Sequence, residues 1–302
     1  MSHHQNPVKS IIYALLANLG VAIAKSIAAV LTKSGSMFAE AIHSFADCGN
    51  QILLLIGIKN AKKPPTPNHP LGYGKATYFW SFIVAIILFS MGGVFSIYEG
   101  IHRLHSNQLM ENPAIAISVL IFSVLLEGAA LFGVLKEIKT VRGDKSLWKW
   151  FRESRQSELI VVFGEDSAAM LGLSSALIAV IATTITGNPI YDACGSIAIG
   201  VLLIIVSIFI GIEVKNLLIG ESVTPERQEE IKGFLDNYEG IDDVLNLITL
   251  QLGNDVMVAV KAKMDSTLSA IELIQNINRC EHDMKEKFPD IKWIFFEPDI
   301  AN

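Results

Sequence analysis

Charge and cysteine are both scarce in this chain. Only 18% of its 302 residues are charged, against roughly 25% in soluble domains, whereas 51% are hydrophobic. The three cysteines, Cys48, Cys194 and Cys280, lie far apart and form no Cys-x-x-Cys pair, which argues against a disulfide framework and a thiolate zinc knuckle. The mean hydropathy of +0.43 then points to a lipid environment for much of the chain.

The sequence also shows no pattern of a cleavable leader or of a catalytic site. The first nine residues, MSHHQNPVK, contain no hydrophobic core followed by a cleavage site, so we expect no removable signal peptide. No nucleophile or water-activating constellation stands out along the chain. We therefore expect a protein that is not an enzyme, holds no resident cofactor and has membrane lipid rather than nucleic acid as a partner.

Six apolar segments are each long enough to form a helix across a bilayer core, which takes about 20 residues. They run approximately over 8–31, 36–58, 77–100, 113–135, 158–185 and 190–214. The second and fourth linkers between them are rich in Lys and Arg, whereas the opposite side offers only Lys33 and Arg103. By the positive-inside rule, both termini and the basic linkers face the cytoplasm.

After about Thr224 the sequence changes to the pattern of a small soluble domain. Helical spacing in PERQEEIKGFLDNY is followed by two alternating strands, VLNLITLQLG and DVMVAVKAKMD, then by the amphipathic helix TLSAIELIQNINRCEHDMKEKF and the strand IKWIFFEP. We predict an all-α membrane domain over residues 1–215 and a cytoplasmic α+β domain of order α-β-β-α-β over residues 216–302.

The second apolar segment interrupts its hydrophobic run with a histidine and an aspartate. His43 and Asp47 are four residues apart, so their side chains point the same way on a helix. Ionisable groups inside spanning helices are rare and usually functional, and this pair offers nitrogen and oxygen donors suited to zinc or another first-row divalent ion. An interhelical hydrogen bond that fixes packing is the structural alternative.

Other polar residues accompany this pair. Glu165 and Asp166 are adjacent in the fifth segment, and because neighbouring helical residues point about 100° apart, we expect one of them to face the cavity of His43 and Asp47. Asn50 lies three residues past Asp47 and is a candidate neutral oxygen donor.

Lys25, Glu127 and Asp192 also lie within apolar segments. Lys25 is expected to form a structural ion pair with a nearby carboxylate. Glu127 is a candidate ligand, a proton acceptor or the partner of Lys25. Asp192 starts the sixth segment, where an acid compensates the helix dipole.

Four motifs together resemble the cation diffusion facilitators, a family of proton-coupled exporters of zinc and related divalent metals. They are SGSMFAEAIHSFADCGNQ in the second segment, NHPLGYGKATYFWS at the start of the third, EDSAAMLG in the fifth and GNPIYDACGSIAIG in the sixth. The resemblance covers essentially the whole chain, and the tail resembles the family's ferredoxin-like, metallochaperone-like cytoplasmic domain. The forms HSFADCGNQ and EDSAA look most like the branch that includes the mitochondrial zinc transporters.

This resemblance implies a transport site with two ligands from the second segment and two from the fifth, each pair four residues apart. His43 and Asp47 match the first pair, and Asp166 matches the second member of the second pair. Val162 stands where the commoner pattern has His or Asp. Candidates for the missing donor are a water molecule and the side chains of Glu165, Asn50 and Glu127.

The resemblance also implies a homodimer, held by the C-terminal domain and the membrane helices. His69 falls where some relatives have a second metal site, but it has no adjacent acid, so a structural role and a weak ligand role both stay open. The tail has only His282 where relatives often carry several histidines, which favours dimer contacts through packing over contacts through zinc.

We therefore expect a multi-pass membrane transporter that exports a divalent cation, with zinc favoured by a histidine among carboxylates and cobalt, iron and manganese left open. Alternating access with protons as counter-ion would drive export, because metal and protons compete for the same ligands. A chain of six helices without a presequence fits a bacterial inner membrane. The alternative is a membrane metal sensor or scaffold that keeps the second-segment site and transports nothing.

Overall fold

The computed structural model describes residues 7–106, 110–266 and 269–301, so the first six residues of the segment MSHHQNPVK lie outside it. The chain divides into two compact units. The first contains residues up to 56, 80–147 and 158–213, and the second contains 57–79, 148–157 and 214 onward. The division into two domains, residues 1–215 and 216–302, stays a prediction.

Long apolar helices dominate the N-terminal two thirds of the chain. They are α1 (Pro7–Thr32), α2 (Gly35–Ala61), α3 (Ala76–Ile87), a π-helical segment (Leu88–Val94), α4 (Phe95–Ser106), α5 (Pro113–Arg142), the short α6 (Leu147–Glu153), α7 (Ser157–Thr186) and α8 (Ile190–Ile219). Within the described residues, five stretches are long and apolar enough to cross a membrane, and Asn18–Thr32 of α1 is a shorter apolar helix. The chain is a multi-pass membrane protein, and the predicted helical membrane portion is confirmed.

The helices of the first unit pack through glycine and leave bulky side chains outside. A Cβ on Gly93 would lie 3.2 Å from the carbonyl oxygen of Gly200, so the π-helical segment and α8 approach each other backbone to backbone. Phe132 and Ile185 are more than two thirds exposed. A soluble protein would bury such large apolar side chains. A lipid environment favours their exposure, because lipid tails are as apolar as the side chains that they contact.

The C-terminal part of the second unit is a three-stranded sheet with helices. Its elements are α9 (Pro225–Asp236), β1 (Ile241–Leu252), β2 (Asp255–Met264), α10 (Ala270–Lys287) and β3 (Ile291–Pro298). The sheet order is β1-β2-β3, with β1 and β2 antiparallel and β2 and β3 parallel. The predicted order α-β-β-α-β is thereby confirmed.

Local chemistry explains why these elements begin and turn where they do. Gly253 has a φ of +70°, which suits the tight turn between β1 and β2. Ser269 and Glu272 form a capping box at the start of α10, with bonds of 3.4 and 2.8 Å. Val258 of the central strand and Cys280 of α10 are both buried in one apolar core.

Two connecting segments pack with this sheet in the second unit. The hydroxyl oxygen of Tyr78 accepts a hydrogen bond of 2.9 Å from the Gly253 N–H at the hairpin turn. Gly74 touches the same turn so closely that any Cβ there would overlap the carbonyl oxygen of Leu252. Arg155 lies 3.2 Å from the Glu221 carboxylate. These contacts hold residues 57–79 and 148–157 together with residues 214 onward in the second unit.

Candidate metal centre

One face of α2 carries polar residues at helical spacing through the interior of the first unit. Glu40, His43, Asp47 and Asn50 recur at intervals of three or four residues, so they form one stripe. Glu40 and Asn50 are fully buried, and His43 is 1% exposed. Burial of so many polar groups is costly unless they have partners, and the partners define what the stripe does.

His43 and Asp47 are close but not well hydrogen-bonded. Their nearest atoms, His43 Nδ1 and Asp47 Oδ1, are 3.5 Å apart, which is long for a hydrogen bond. Within the described residues, both ring nitrogens of His43 and this Asp47 oxygen are buried without a hydrogen-bond partner. A buried donor or acceptor that lacks its hydrogen bond costs about 1–3 kcal/mol of stability. The pair therefore presents donor atoms that a cation would satisfy.

A small cavity opens beside this stripe. Its volume is about 30 Å³, enough for one or two water-sized species. Four helices of the first unit line it, through Asn18, Ser44, Asp47, Gln51, Glu127, Val162, Glu165 and Asp166. Four of these side chains are acids, so the cavity concentrates negative charge inside an apolar helix bundle. A site of this kind attracts cations.

Both acids of α7 reach the cavity, which differs from the expectation that one would. Glu165 is 6% exposed, and its Oε1 accepts a hydrogen bond of 2.6 Å from Asn50 Nδ2. Asp166 is half-buried, and Val162 borders the same cavity one turn earlier. The cavity extends over enough of the α7 surface to meet two side chains that point about 100° apart.

Lys25 of α1 is paired with an acid that the sequence analysis did not single out. Its Nζ lies 3.1 Å from Glu40 Oε2 and donates to Ser44 Oγ at 2.7 Å, and all three side chains are buried. The signal for Glu40 was its spacing, three residues before His43 on the same helical face. Lys25 thus balances the acid nearest the start of the polar stripe.

Asp192 lies in the first turn of α8, as predicted, but its carboxylate bonds to the start of α2. It accepts hydrogen bonds from Ser34 Oγ at 2.7 Å, from the Gly35 N–H at 2.5 Å and from the backbone and hydroxyl of Ser36. These are the donors that a helix leaves unsatisfied at its N-terminus. Asp192 therefore caps the helix that carries His43 and Asp47.

The π-helical segment between α3 and α4 lies against His43. A Cβ on Gly92 would be 3.9 Å from His43 Nδ1, so the missing side chain leaves the imidazole room. Short π-helical insertions occur often at functional sites. Only the glycine pair Gly92-Gly93 signals this segment in the sequence.

The histidines of the second unit stand in other surroundings. The His69 ring packs edge-on against Tyr73 with centroids 4.4 Å apart. Across the described ranges, the one group of three candidate ligands with atoms within 4.8 Å of one another is His282, Asp283 and Glu286 on α10. His282 and Glu286 are strongly exposed, and Asp283 accepts from Tyr238 at 2.7 Å. His43, Asp47 and Asp166 are not gathered that tightly.

Comparisons with known proteins bear on this site. Residues 11–219 match the family model described as the cation efflux transmembrane domain. A human protein named proton-coupled zinc antiporter SLC30A9, mitochondrial, is 35% identical over 263 residues, or 86% of this chain and 46% of that protein. The chain therefore spans about half the length of this curated relative.

Two further relatives extend the comparison to other organisms. Metal tolerance protein C4 of Arabidopsis thaliana is 32% identical over 215 residues, covering 70% of this chain and 47% of the plant protein. Manganese efflux system protein MneP of Bacillus subtilis is 26% identical over 291 residues, covering 94% of this chain and 93% of the bacterial protein. The names of these relatives concern zinc, manganese and metal tolerance.

Proposed function

Because the chain belongs to the cation efflux family, we propose that it exports a divalent metal cation, zinc, across a membrane in exchange for protons. The family match and the mitochondrial relatives agree with the resemblance read from the motifs, including its branch. Membership places the chain among transporters rather than enzymes. The finer parts of the proposal, the metal and its counter-ion, depend on the site itself.

The cavity between α2 and α7 carries the proposal. We assign zinc binding to His43, Asp47 and Asp166, which combine an imidazole with two carboxylates. Zinc accepts nitrogen and oxygen donors in a tetrahedral arrangement, and three protein ligands with one open position are established zinc coordination. The manganese named for the bacterial relative is the main competitor, because carboxylate and water ligands suit it.

Proton coupling follows from the ligand chemistry. Imidazole and carboxylate must be deprotonated to bind a metal, so binding displaces protons and protonation from the other side favours release. The helices then expose the cavity alternately to the two sides. Lys25 and Glu40 neutralise each other beside the cavity, so the remaining acids face the incoming cation.

Placement in the membrane is proposed from the basic linkers. Four lysines lie in residues 59–75 and seven Lys or Arg residues in 136–155, so these linkers and both termini are assigned to the cytoplasm. We propose a bacterial inner membrane and a homodimer through the C-terminal domain and membrane helices. Export then carries zinc away from the side that holds the sheet.

Proteoliposome flux tests this function. Zinc is added outside vesicles that contain a zinc dye and a pH indicator, and the same preparation is repeated with manganese and cobalt. We expect zinc entry with a rise in internal pH, and at least about a tenfold loss of flux in His43→Ala and Asp47→Ala, since both remove a ligand. His105→Ala, at an exposed site on α4, is the matched control.

Three outcomes separate the alternatives. Parental flux in the His43 and Asp47 variants would show that the site assignment is wrong. Zinc binding without flux would favour the sensor or scaffold. Zinc entry with no change in internal pH would remove proton coupling from the proposal.

A further inference from the structure

We propose that Glu165 supplies the fourth zinc ligand in place of Val162, and that Asn50 holds its carboxylate ready by a hydrogen bond that the ion displaces. This inference rests on the proposed function, because it concerns the same site. It identifies the donor that the sequence leaves missing and names a residue that positions it.

The position that lacks a donor is clear. Val162 borders the cavity one helical turn before Asp166, so a ligand at that position would point into the site. A valine side chain has no lone pair to offer. His43, Asp47 and Asp166 leave a tetrahedral zinc ion one donor short.

Glu165 is the acid best placed to replace it. It lines the same cavity, is 6% exposed and is tied by a bond of 2.6 Å to Asn50, which lies three residues past Asp47 on α2. That bond spans the two helices that carry the other proposed ligands. Glu127 also borders the cavity, but it comes from α5 and is less buried.

Asn50 has the character of a positioning residue. Its Nδ2 donates to Glu165 Oε1, while its own Oδ1 is buried without a partner in the described structure. This hydrogen bond of 2.6 Å fixes the orientation of the Glu165 carboxyl group. When zinc binds, the Asn50–Glu165 hydrogen bond breaks and a zinc–oxygen bond forms at the same carboxylate.

This exchange suits a transporter. An ion that must break a hydrogen bond to gain its fourth ligand binds less tightly than one entering a fully free site. When the ion leaves, the Asn50 amide takes its place on Glu165, which lowers the cost of emptying a buried site. The zinc-bound and zinc-free states of the site are therefore closer in free energy.

The test is equilibrium zinc binding by the full chain in detergent, measured by competition with a fluorescent chelator. We expect Glu165→Gln to weaken binding by about 10- to 100-fold. Val162→His in the Glu165→Gln background should restore most of that loss, whereas Val162→His alone should change affinity much less. Cobalt supplies a second readout, because its visible absorption should lose tetrahedral intensity in Glu165→Gln and regain it in the double variant.

Controls keep the result interpretable. Glu137→Gln, at an exposed site on α5, should bind zinc as the parent does. Glu165→Asp keeps the charge and serves if Glu165→Gln fails to fold; its shorter side chain should still weaken zinc binding. Asn50→Ala should tighten zinc binding in the parent, because the competing hydrogen bond is gone, and leave it unchanged in the Glu165→Gln background; weaker binding in Asn50→Ala would overturn the exchange.

The outcomes distinguish this inference from the proposed function. Loss of binding in His43→Ala with parental affinity in Glu165→Gln would overturn the inference alone. If Glu127→Gln weakens binding and Glu165→Gln does not, Glu127 is the fourth ligand. Absence of zinc binding by the parent would overturn the proposed function itself.

Discussion

Replacing Lys25 with Met should destabilise the membrane unit strongly, because it leaves the Glu40 carboxylate buried without its counter-charge. Both side chains are completely buried and the charged atoms are 3.1 Å apart. Removing one partner of such a pair typically costs about 3–5 kcal/mol. Met preserves most of the side-chain volume, so the change isolates the charge and its hydrogen bonds rather than creating a cavity.

The same reasoning gives a nearly neutral double variant. Lys25→Met combined with Glu40→Gln removes both charges, and exchanging a buried ion pair for uncharged side chains of similar volume is often neutral or stabilising. We expect it to lie within about 1–2 kcal/mol of the parent, since a net hydrogen bond contributes only about 1 kcal/mol. The two single variants should therefore be far from additive.

Thermal unfolding of purified protein in one detergent at one scan rate measures this. A change of about 3–5 kcal/mol corresponds to a fall in Tm of roughly 6–20 °C for a unit of this size. Lys33→Met is the matched control, because it breaks an ion pair with Glu111 that is about half exposed and should cost under about 1 kcal/mol. The reasoning is refuted if Lys25→Met melts like Lys33→Met, or if the double variant is no more stable than Lys25→Met.

Two further results are expected. Asp192→Ala should lower stability by about 1–3 kcal/mol, read as a lower Tm, because Gly35 and its neighbours lose the cap of α2, and a parental Tm would refute that role. Burial raises the pKa of the Cys280 thiol to about 12, so a maleimide at neutral pH should spare Cys280 until the sheet unfolds, as mass spectrometry would show. Burial of the neutral Cys280 thiol also affects the free energy of unfolding. As the pH rises, the thiol ionises in the unfolded chain before it does so in the folded chain, so stability that is fully present below about pH 9 is lost between pH 9 and 12. Rapid labelling of Cys280 in the folded chain at pH 7 would contradict it.

The sequence alone predicted long apolar helices and the order of elements in the tail, and the structure has both. Bilayer thickness requires long apolar runs, and local periodicity then specifies helix or strand. The same local rule placed His43 and Asp47 on one helical face. These features depend on neighbours along the chain, so no knowledge of distant contacts was needed.

Only the tertiary structure decided which residues meet across helices. Glu40 as the partner of Lys25, Asp192 as the cap of α2 and the bond between Asn50 and Glu165 each join residues from different helices. Helical periodicity fixes the face on which a side chain lies, but not which neighbouring helix meets that face or at what height. Both depend on how all the helices pack together. That packing brings acids of α5 and α7 to the polar stripe of α2, where they line one cavity with Asp47.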